Sequence, residues 1–352
     1  MTIVEPSTAR RAGTWRMLLR ADPLPWLLDP AAPAVRHVAM RDLSDLPADD
    51  PEVAAARQAA MAADPIAAIL AAQRPEGYWE KPGAGYATKY RGTVWQLIFL
   101  DQLGADPADE RIQRACDYVL GHSVAATGGF GASGRLDLPP PSSAVLHCLN
   151  GNLLRAVIGF GRLDDERVQR AIEWGARAIT GEGVERWYAS GTSGPGFACA
   201  ANEGLPCGWG AAKAMLGLAR IPAERRSPLV ARAIDSGVAF LLSRDPAVAD
   251  YPMGWGNTRP NGSWFKLGFP SGYVTDVLQV LEALVELGHG ADARLASCRA
   301  WLLSMQDDRG RWRNQYAYNG KTWVDVERQG EPSRWVTLRA CRVLRRMQPV
   351  VS

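Results

Sequence analysis

One short pattern, written twice along the chain, constrains the fold more than any other feature. Residues from Asp109 read DERIQRACDYVL and residues from Asp165 read DERVQRAIEWGARAI. Both run Asp-Glu-Arg-apolar-Gln-Arg-Ala and then place an aromatic at Tyr118 or Trp174. Looser copies begin near Pro51, Arg225 and Ala291. In the second copy Val168, Ala171, Ile172, Gly175 and Ile179 share one helical face, with Arg167, Arg170, Glu173 and Arg177 opposite. An acidic residue stands where each such helix needs its N-cap. These copies predict amphipathic outer helices.

Between them lie segments of another kind, starting near Gly92, Ser143, Cys207, Ser271 and Ser333. They are apolar nearly all round, as a helix buried on every side must be. Gly104, Gly161 and Gly288 supply C-terminal stops. Ala34 to Leu46 provides a sixth inner segment and Thr14 to Leu28 the remaining outer one. Inner starts recur roughly every 50–60 residues, the mark of a helix-pair repeat. A pair cannot bury its apolar face alone, so six pairs stack and close. The expected architecture is all-α: a single (α/α)6 toroid over residues 1–352, with 1–13 as an N-terminal tail. Turns from inner to outer helix are short. The returns, residues 73–91, 123–142, 181–206, 245–270 and 307–332, are long and rich in Gly, Pro and aromatics. All are expected at one end, forming a mouth over a central aromatic-lined cavity, since loops of that length usually carry function.

Composition narrows the classes. Hydrophobic residues at 47% and charged residues at 22% supply a large core, and a net charge of +3 offers no nucleic-acid footprint. No apolar run is long enough for a transmembrane helix, and no signal peptide is recognisable. Six scattered cysteines read as reduced thiols, hence a cytoplasmic location.

Two junctions have a distinctive form. Residues 66–79 (IAAILAAQRPEGYW) and 298–312 (CRAWLLSMQDDRGRW) each end an outer helix with Gln, at Gln73 or Gln306, followed by Gly-x-Trp at Gly77/Trp79 or Gly310/Trp312. GGFG at Gly128 to Gly131 is a weaker echo. The chain thereby resembles the squalene and terpene cyclases, whose QW repeats these are and whose α/α toroids protein prenyltransferases share. The resemblance implies an isoprenoid-handling isomerase or lyase. The family's Asp-x-Asp-Asp acid is absent, as are class I Asp-rich metal motifs and the prenyltransferase Asp-x-Cys. Asp164-Asp165 and Asp307-Asp308 fall at a helix start and in a QW turn, where punctuation is the better reading. The length is about half that of a squalene cyclase, so one toroid is expected.

The first turns of the inner helices and the loops before them nominate the lining. They present Tyr90, Arg91, Trp95, Trp209, Lys213, Trp264, Lys266, Phe269, Asp325, Arg334 and Trp335 as substrate-binding candidates. Tyr86, Lys89, Cys148, Asn150, Trp187, Asn202, Glu203, Trp255, Trp323 and Glu327 stand close to them in sequence. Aromatic faces can stabilise a carbocation by about 0.5–2 kcal/mol each. Parallel helix N-termini and basic side chains favour an anionic head group, such as a diphosphate or carboxylate, with an apolar tail descending between the inner helices. Against this stands the plainer reading that the rings fill a tapering barrel and the cations pair with neighbouring carboxylates.

Asp276, Tyr273, His147 and Cys207 are the catalytic candidates. Asp276 falls one turn into an apolar helix, where burial raises a carboxyl pKa and suits a proton donor to an alkene. A structural role, as partner of Lys213 or as a helix-start carboxylate, is the alternative. No cofactor is expected. Zinc on His147, Cys148 and Cys207 is disfavoured because adjacent helical residues point about 100° apart. The expected partner is a hydrophobic small molecule. A carbohydrate-active α/α barrel using Asp276, Asp325 and Glu327 and a non-catalytic lipid- or protein-binding toroid remain the alternative functions.

Overall fold

The computed structural model describes residues 14–44, 46–47, 49–183, 193–251 and 261–347. The expected tail, and with it Trp187 and Trp255, lies outside the described residues. The helices are α1 (Leu24–Leu27), α2 (Pro33–Leu43), α3 (Pro51–Met61), α4 (Ile66–Ala71), α5 (Thr93–Gln102), α6 (Glu110–His122) and α7 (His147–Gly159). They continue as α8 (Glu166–Thr180), α9 (Gly208–Leu218), α10 (Pro228–Leu241), α11 (Val277–Glu286), α12 (Ala296–Ser304) and α13 (Arg334–Arg346). A 3₁₀ turn at Thr14–Leu18 precedes α1, and two-residue strands β1 (Trp312–Arg313) and β2 (Pro332–Ser333) pair antiparallel.

Six helices form the inner ring. In order, α5 packs on α7, α7 on α9, α9 on α11, α11 on α13, and α13 returns to α2. The circuit closes where Gly104, just beyond α5, lies against Val38 of α2. Residues of α2, α5, α7, α11 and α13, with Arg220 just past α9, all line one small space on the common axis. Six of the remaining helices back the ring from outside, each on an inner partner: α3 on α2, α6 on α5, α8 on α7, α10 on α9, α12 on α11 and α1 on α13, while the short α4 packs on α3. The fold is therefore the (α/α)6 toroid that the repeat predicts.

Burial follows the two sequence types. Every residue of α9 is buried, whereas α8 buries Val168, Ala171, Ile172, Gly175 and Ile179 and exposes its charged face. Asp109 and Asp165 cap their helices, accepting from the backbone N–H groups of Arg111 and Arg167. Asp307 likewise accepts from the N–H groups of Arg309 and Arg311 inside its turn. Several boundaries differ from expectation: the outer element expected over Thr14 to Leu28 is a 3₁₀ turn and the one-turn helix α1, and the inner segment expected from Ser143 is an α-helix only from His147. The inner segment anticipated from Ser271 becomes helical only at Val277, because Asp276 is the N-cap and its side chain accepts from Gln279 N.

The two QW-type turns have the same construction. Trp79 Nε1 donates to Ile69 O at 2.7 Å, and its backbone N–H donates to Thr93 Oγ1 at 3.2 Å. Trp312 Nε1 donates to Leu302 O at 2.8 Å, and its backbone N–H donates to Thr337 Oγ1 at 3.0 Å. Each turn thus ties the end of an outer helix to the first turn of the next inner one. The weaker echo does the same with other chemistry, Phe130 N donating to Asn150 Oδ1 at 3.0 Å. Gly77 and Gly310 have φ of +101° and +70°, and a Cβ on either would fall within 2.7 Å and 2.0 Å of a backbone carbonyl, Arg114 O and Ala21 O. Only glycine combines that conformation with that approach. The second of these contacts joins the last pair to the first. Arg20 strengthens it by donating from its backbone N to Gln306 Oε1 and from Nη1 to Gln306 O, at 2.9 and 2.7 Å.

Candidate functional site

The expected central cavity is occupied by the chain itself. Residues 268–276, the stretch leading into α11, pass down the axis of the ring. Phe269 stacks on Trp335 of α13 with centroids 4.6 Å apart and planes 6° from parallel. Gly272 O accepts from Asn152 Nδ2 of α7 at 3.1 Å, and Gly272 N donates to Tyr318 Oη at 3.2 Å. Ser271 pairs through its backbone with the Gln102 carboxamide at the far end of α5. Arg339 of α13 donates from Nη1 to Gly268 O at 2.8 Å. An extended segment buried among helices must find partners for its own amides, and these polar side chains supply them.

Below this plug the bore is ionic, which corrects the expectation of an apolar tail between the inner helices. Arg339 forms a bidentate pair with Glu282, at 2.9 and 2.7 Å. Burial alone would raise the Glu282 carboxyl, but the Arg339 charge and hydrogen bonds outweigh it and hold it at about 2. Arg155 and Arg220 lie 3.7 and 3.5 Å from Asp101, and Arg342 lies 3.1 Å from Asp42 and 3.6 Å from Glu286. The enclosed space among them is about 20 Å³, too small for an organic ligand.

Above the plug an aromatic bowl forms from residues that are distant in sequence. Tyr90 stacks on Tyr318 at 3.9 Å and meets Trp95 edge-on at 5.2 Å. Tyr273 lies 6.4 Å from Tyr90, 6.3 Å from Trp95 and 6.2 Å from Trp209, and Tyr86 lies 5.0 Å from Trp95. The exposed ammonium of Lys89 caps the bowl, 4.4 Å over the Tyr273 ring and 5.5 Å over Tyr86. The bowl therefore already holds a cation against its ring faces, the geometry that ring quadrupoles favour.

Asp276 lies at the lower edge of this bowl. Its Oδ1 accepts from Gln279 N at 2.8 Å, its Oδ2 accepts from Gly268 N at 3.2 Å, and Arg339 Nη2 stands 3.9 Å from Oδ1. Burial raises the carboxyl above the usual range, a shift that the Arg339 charge opposes without cancelling. A cavity of about 10 Å³, room for roughly one water, touches Asp276, Gln279, Tyr316, Tyr318 and Lys266. Lys213 is fully buried on α9, hydrogen-bonded through Nζ to Gln279 Oε1, and burial lowers its amine to about 7.

The other candidates serve elsewhere. The His147 ring packs outward against Trp174 and Phe197, with Nε2 2.9 Å from Gly194 O, and burial lowers it to about 4. Cys207 is the N-cap of α9 and groups with Cys199 and Cys148. Trp264 is wholly buried, donating to Pro246 O, and Asn150 bridges to Ala171 O. Arg91 pairs with Glu80 and covers the Trp323 ring at 4.0 Å. Arg334 reaches Asp29 and Trp26 of the first pair. Asn202 donates to Pro206 O, and Glu203 closes that turn at φ +57°. Asp325 accepts from Gly320 N in its loop, and Glu327 accepts from Arg334 N, capping α13. Among the described residues no group of three His, Cys, Asp or Glu side chains is arranged to hold a metal, and no helix is long and apolar enough to cross a membrane.

Tyr316, Tyr318, Gln102, Gln279, Glu282 and Arg339 complete the site and were not nominated by sequence. Only Gln279 carried a local signal, since Asp-x-x-Gln marks a helix start.

The described helices thus form an α/α ring fastened by two Gln…Gly-x-Trp turns. No family model matches the chain, and no curated protein does. Among solved structures it is similar to a protein from Actinoplanes, at 18% identity over 96% of this chain and 98% of that one, with a TM-score of 0.45. It is also similar to a variant of the type II terpene cyclase MstE from Scytonema in complex with geranylgeranyl dihydroxybenzoate, at 17% identity over 96% and 95%, with a TM-score of 0.44. Apo MstE aligns over 80% of this chain and 95% of its own, at 16% identity and a TM-score of 0.32. The toroid stands on its own helix contacts.

Proposed function

We propose that the bowl binds an isoprenoid and that Asp276 initiates its cyclisation or isomerisation by protonation. The observation that carries this reading is the position of the Asp276 carboxyl. It is raised by burial, borders the one-water cavity with Tyr316 and Tyr318, and lies beneath rings already engaged with an ammonium. In the proposed step the carboxyl proton goes to an alkene carbon and leaves a carbocation, which the rings of Tyr90, Trp95 and Trp209 shelter. Arg339, 3.9 Å away, then faces the new carboxylate. Loss of a proton from the cation ends the reaction and restores the acid. The small cavity requires Pro270 to Thr275 to lift before a substrate fits. Lys89, over the Tyr273 ring, and Lys266, beside the one-water cavity, are the cations assigned to an anionic head group.

A second reading, a toroid that binds without transforming, is favoured by the close stack of Tyr90 on Tyr318. A panel of prenyl diphosphates incubated with the protein and followed by mass spectrometry separates the two. Conversion that falls at least about a hundredfold in Asp276→Asn supports the enzyme. Conversion untouched by that substitution overturns the role of Asp276, and tight binding with no conversion supports the second reading.

A further inference from the structure

Three of the six cysteines, Cys116, Cys298 and Cys341, are wholly buried in the helical core. The other three lie beside the bowl: Cys199 in the turn that precedes α9, Cys207 as the N-cap of that helix, and Cys148 on α7. Ala198 and Pro206 face each other as an antiparallel bridge, Cys199 N donates to Leu205 O at 3.2 Å, and Cys207 N donates to Phe197 O at 2.9 Å. That register puts Cys199 and Cys207 on one face of the ladder, as diagonal neighbours. The register brings the Cys207 side chain beside that of Cys199, and Asn202 N donates to the Cys199 carbonyl at 2.9 Å, tightening the turn. The neighbouring Cys207 thiol lowers Cys199 below the ordinary thiol range, and proximity to Cys199 together with burial raises Cys207. Cys199 is half-buried and so open to a small oxidant, whereas Cys207 is largely covered. Cys148 and Tyr86 are the titratable neighbours that face the pair.

We propose that Cys199 and Cys207 form a peroxide-oxidisable dithiol at the mouth of the toroid, with Cys199 attacking and Cys207 resolving. The Cys199 thiolate attacks one oxygen of hydrogen peroxide, forming the sulfenic acid and releasing hydroxide. The Cys207 sulfur then displaces the sulfenic hydroxyl, which takes up the Cys207 proton and departs as water, leaving the disulfide. Two thiol sulfurs are oxidised and one peroxide is reduced. The bridge cross-links the turn that ends at the N-cap of α9, two residues before Trp209 of the bowl. Formation of this disulfide does not depend on what the bowl binds.

The test is peptide mapping of the intact protein. After stoichiometric hydrogen peroxide, a Cys199–Cys207 disulfide is expected, with the other four thiols still alkylatable. Iodoacetamide at about pH 6.5 should label Cys199 about tenfold or more faster than the half-buried Cys148. Cys207→Ala should slow that labelling about tenfold and leave Cys199 as a sulfenic acid trapped by dimedone. Cys207→Ser keeps a hydroxyl donor and a helix cap, so it should restore fast labelling while forming no disulfide. A Cys148–Cys199 disulfide, no disulfide at all, or Cys199 labelling no faster than Cys148 overturns the assignment.

Discussion

The carboxamide of Gln102 and the backbone of Ser271 exchange two hydrogen bonds, Nε2 to Ser271 O and Ser271 N to Oε1, both 2.8 Å long. This side chain closes α5 and clamps a segment 169 residues away against the axis of the ring. It satisfies the donor and the acceptor of one buried peptide step as another strand would.

Gln102→Ala leaves both groups unpaired, which costs on the order of 2 kcal/mol. Chemical denaturation should show that loss, and hydrogen exchange should accelerate selectively at amides 268–275. Uniform acceleration across the ring, or none, would mean that the clamp does not hold the plug.

Lys213 makes stability depend on pH with a definite sign. Its folded pKa of about 7 lies below the unfolded value of roughly 10.4, so between these limits the unfolded chain holds a proton that the folded chain has released. Stability contributed through this group therefore rises as pH rises from about 7 toward 10. Lys213→Met removes the titrating amine and should flatten that part of the thermal-melting profile. A slope unchanged by the substitution would contradict burial as the cause.

Thr93 and Thr337 each accept a hydrogen bond from the backbone N–H of the tryptophan in a QW-type turn, at 3.2 and 3.0 Å. Valine has nearly the same shape but cannot accept, so Thr93→Val and Thr337→Val should each cost about 1–3 kcal/mol by orphaning a buried donor. Equal losses in urea denaturation are expected, because the two sites are built alike. A neutral substitution at either would show that the turn is held by ring packing alone.

The scaffold was legible because its signals are local. Asp109 and Asp165 announce helix starts, the apolar stripe of α8 spans a few turns, and Gln73, Gly77 and Trp79 sit within one junction. The contents of the ring were not, because they depend on partners that no window of sequence contains. Residues from Ser271 continue smoothly into the apolar run of α11, so the stretch reads as helix. Only the Asp276–Gln279 cap hints at the true boundary. Arg339 gives no sign that it will meet Glu282, nor Tyr90 that it will meet Tyr318. Trp264 and Arg334 illustrate the opposite error. They belong to mouth-side segments, yet their side chains are drawn into a neighbouring layer.

The clasp of Arg20 on Gln306, beside Gly310 against Ala21, has one more consequence. In an open solenoid, units can be gained or lost at a free end for the price of a new polar cap. Here both ends of the array are already spoken for by each other. A seventh unit would have nowhere to dock, and removing one would tear two seams at once, so copy number in this architecture can change only by rebuilding the whole circuit.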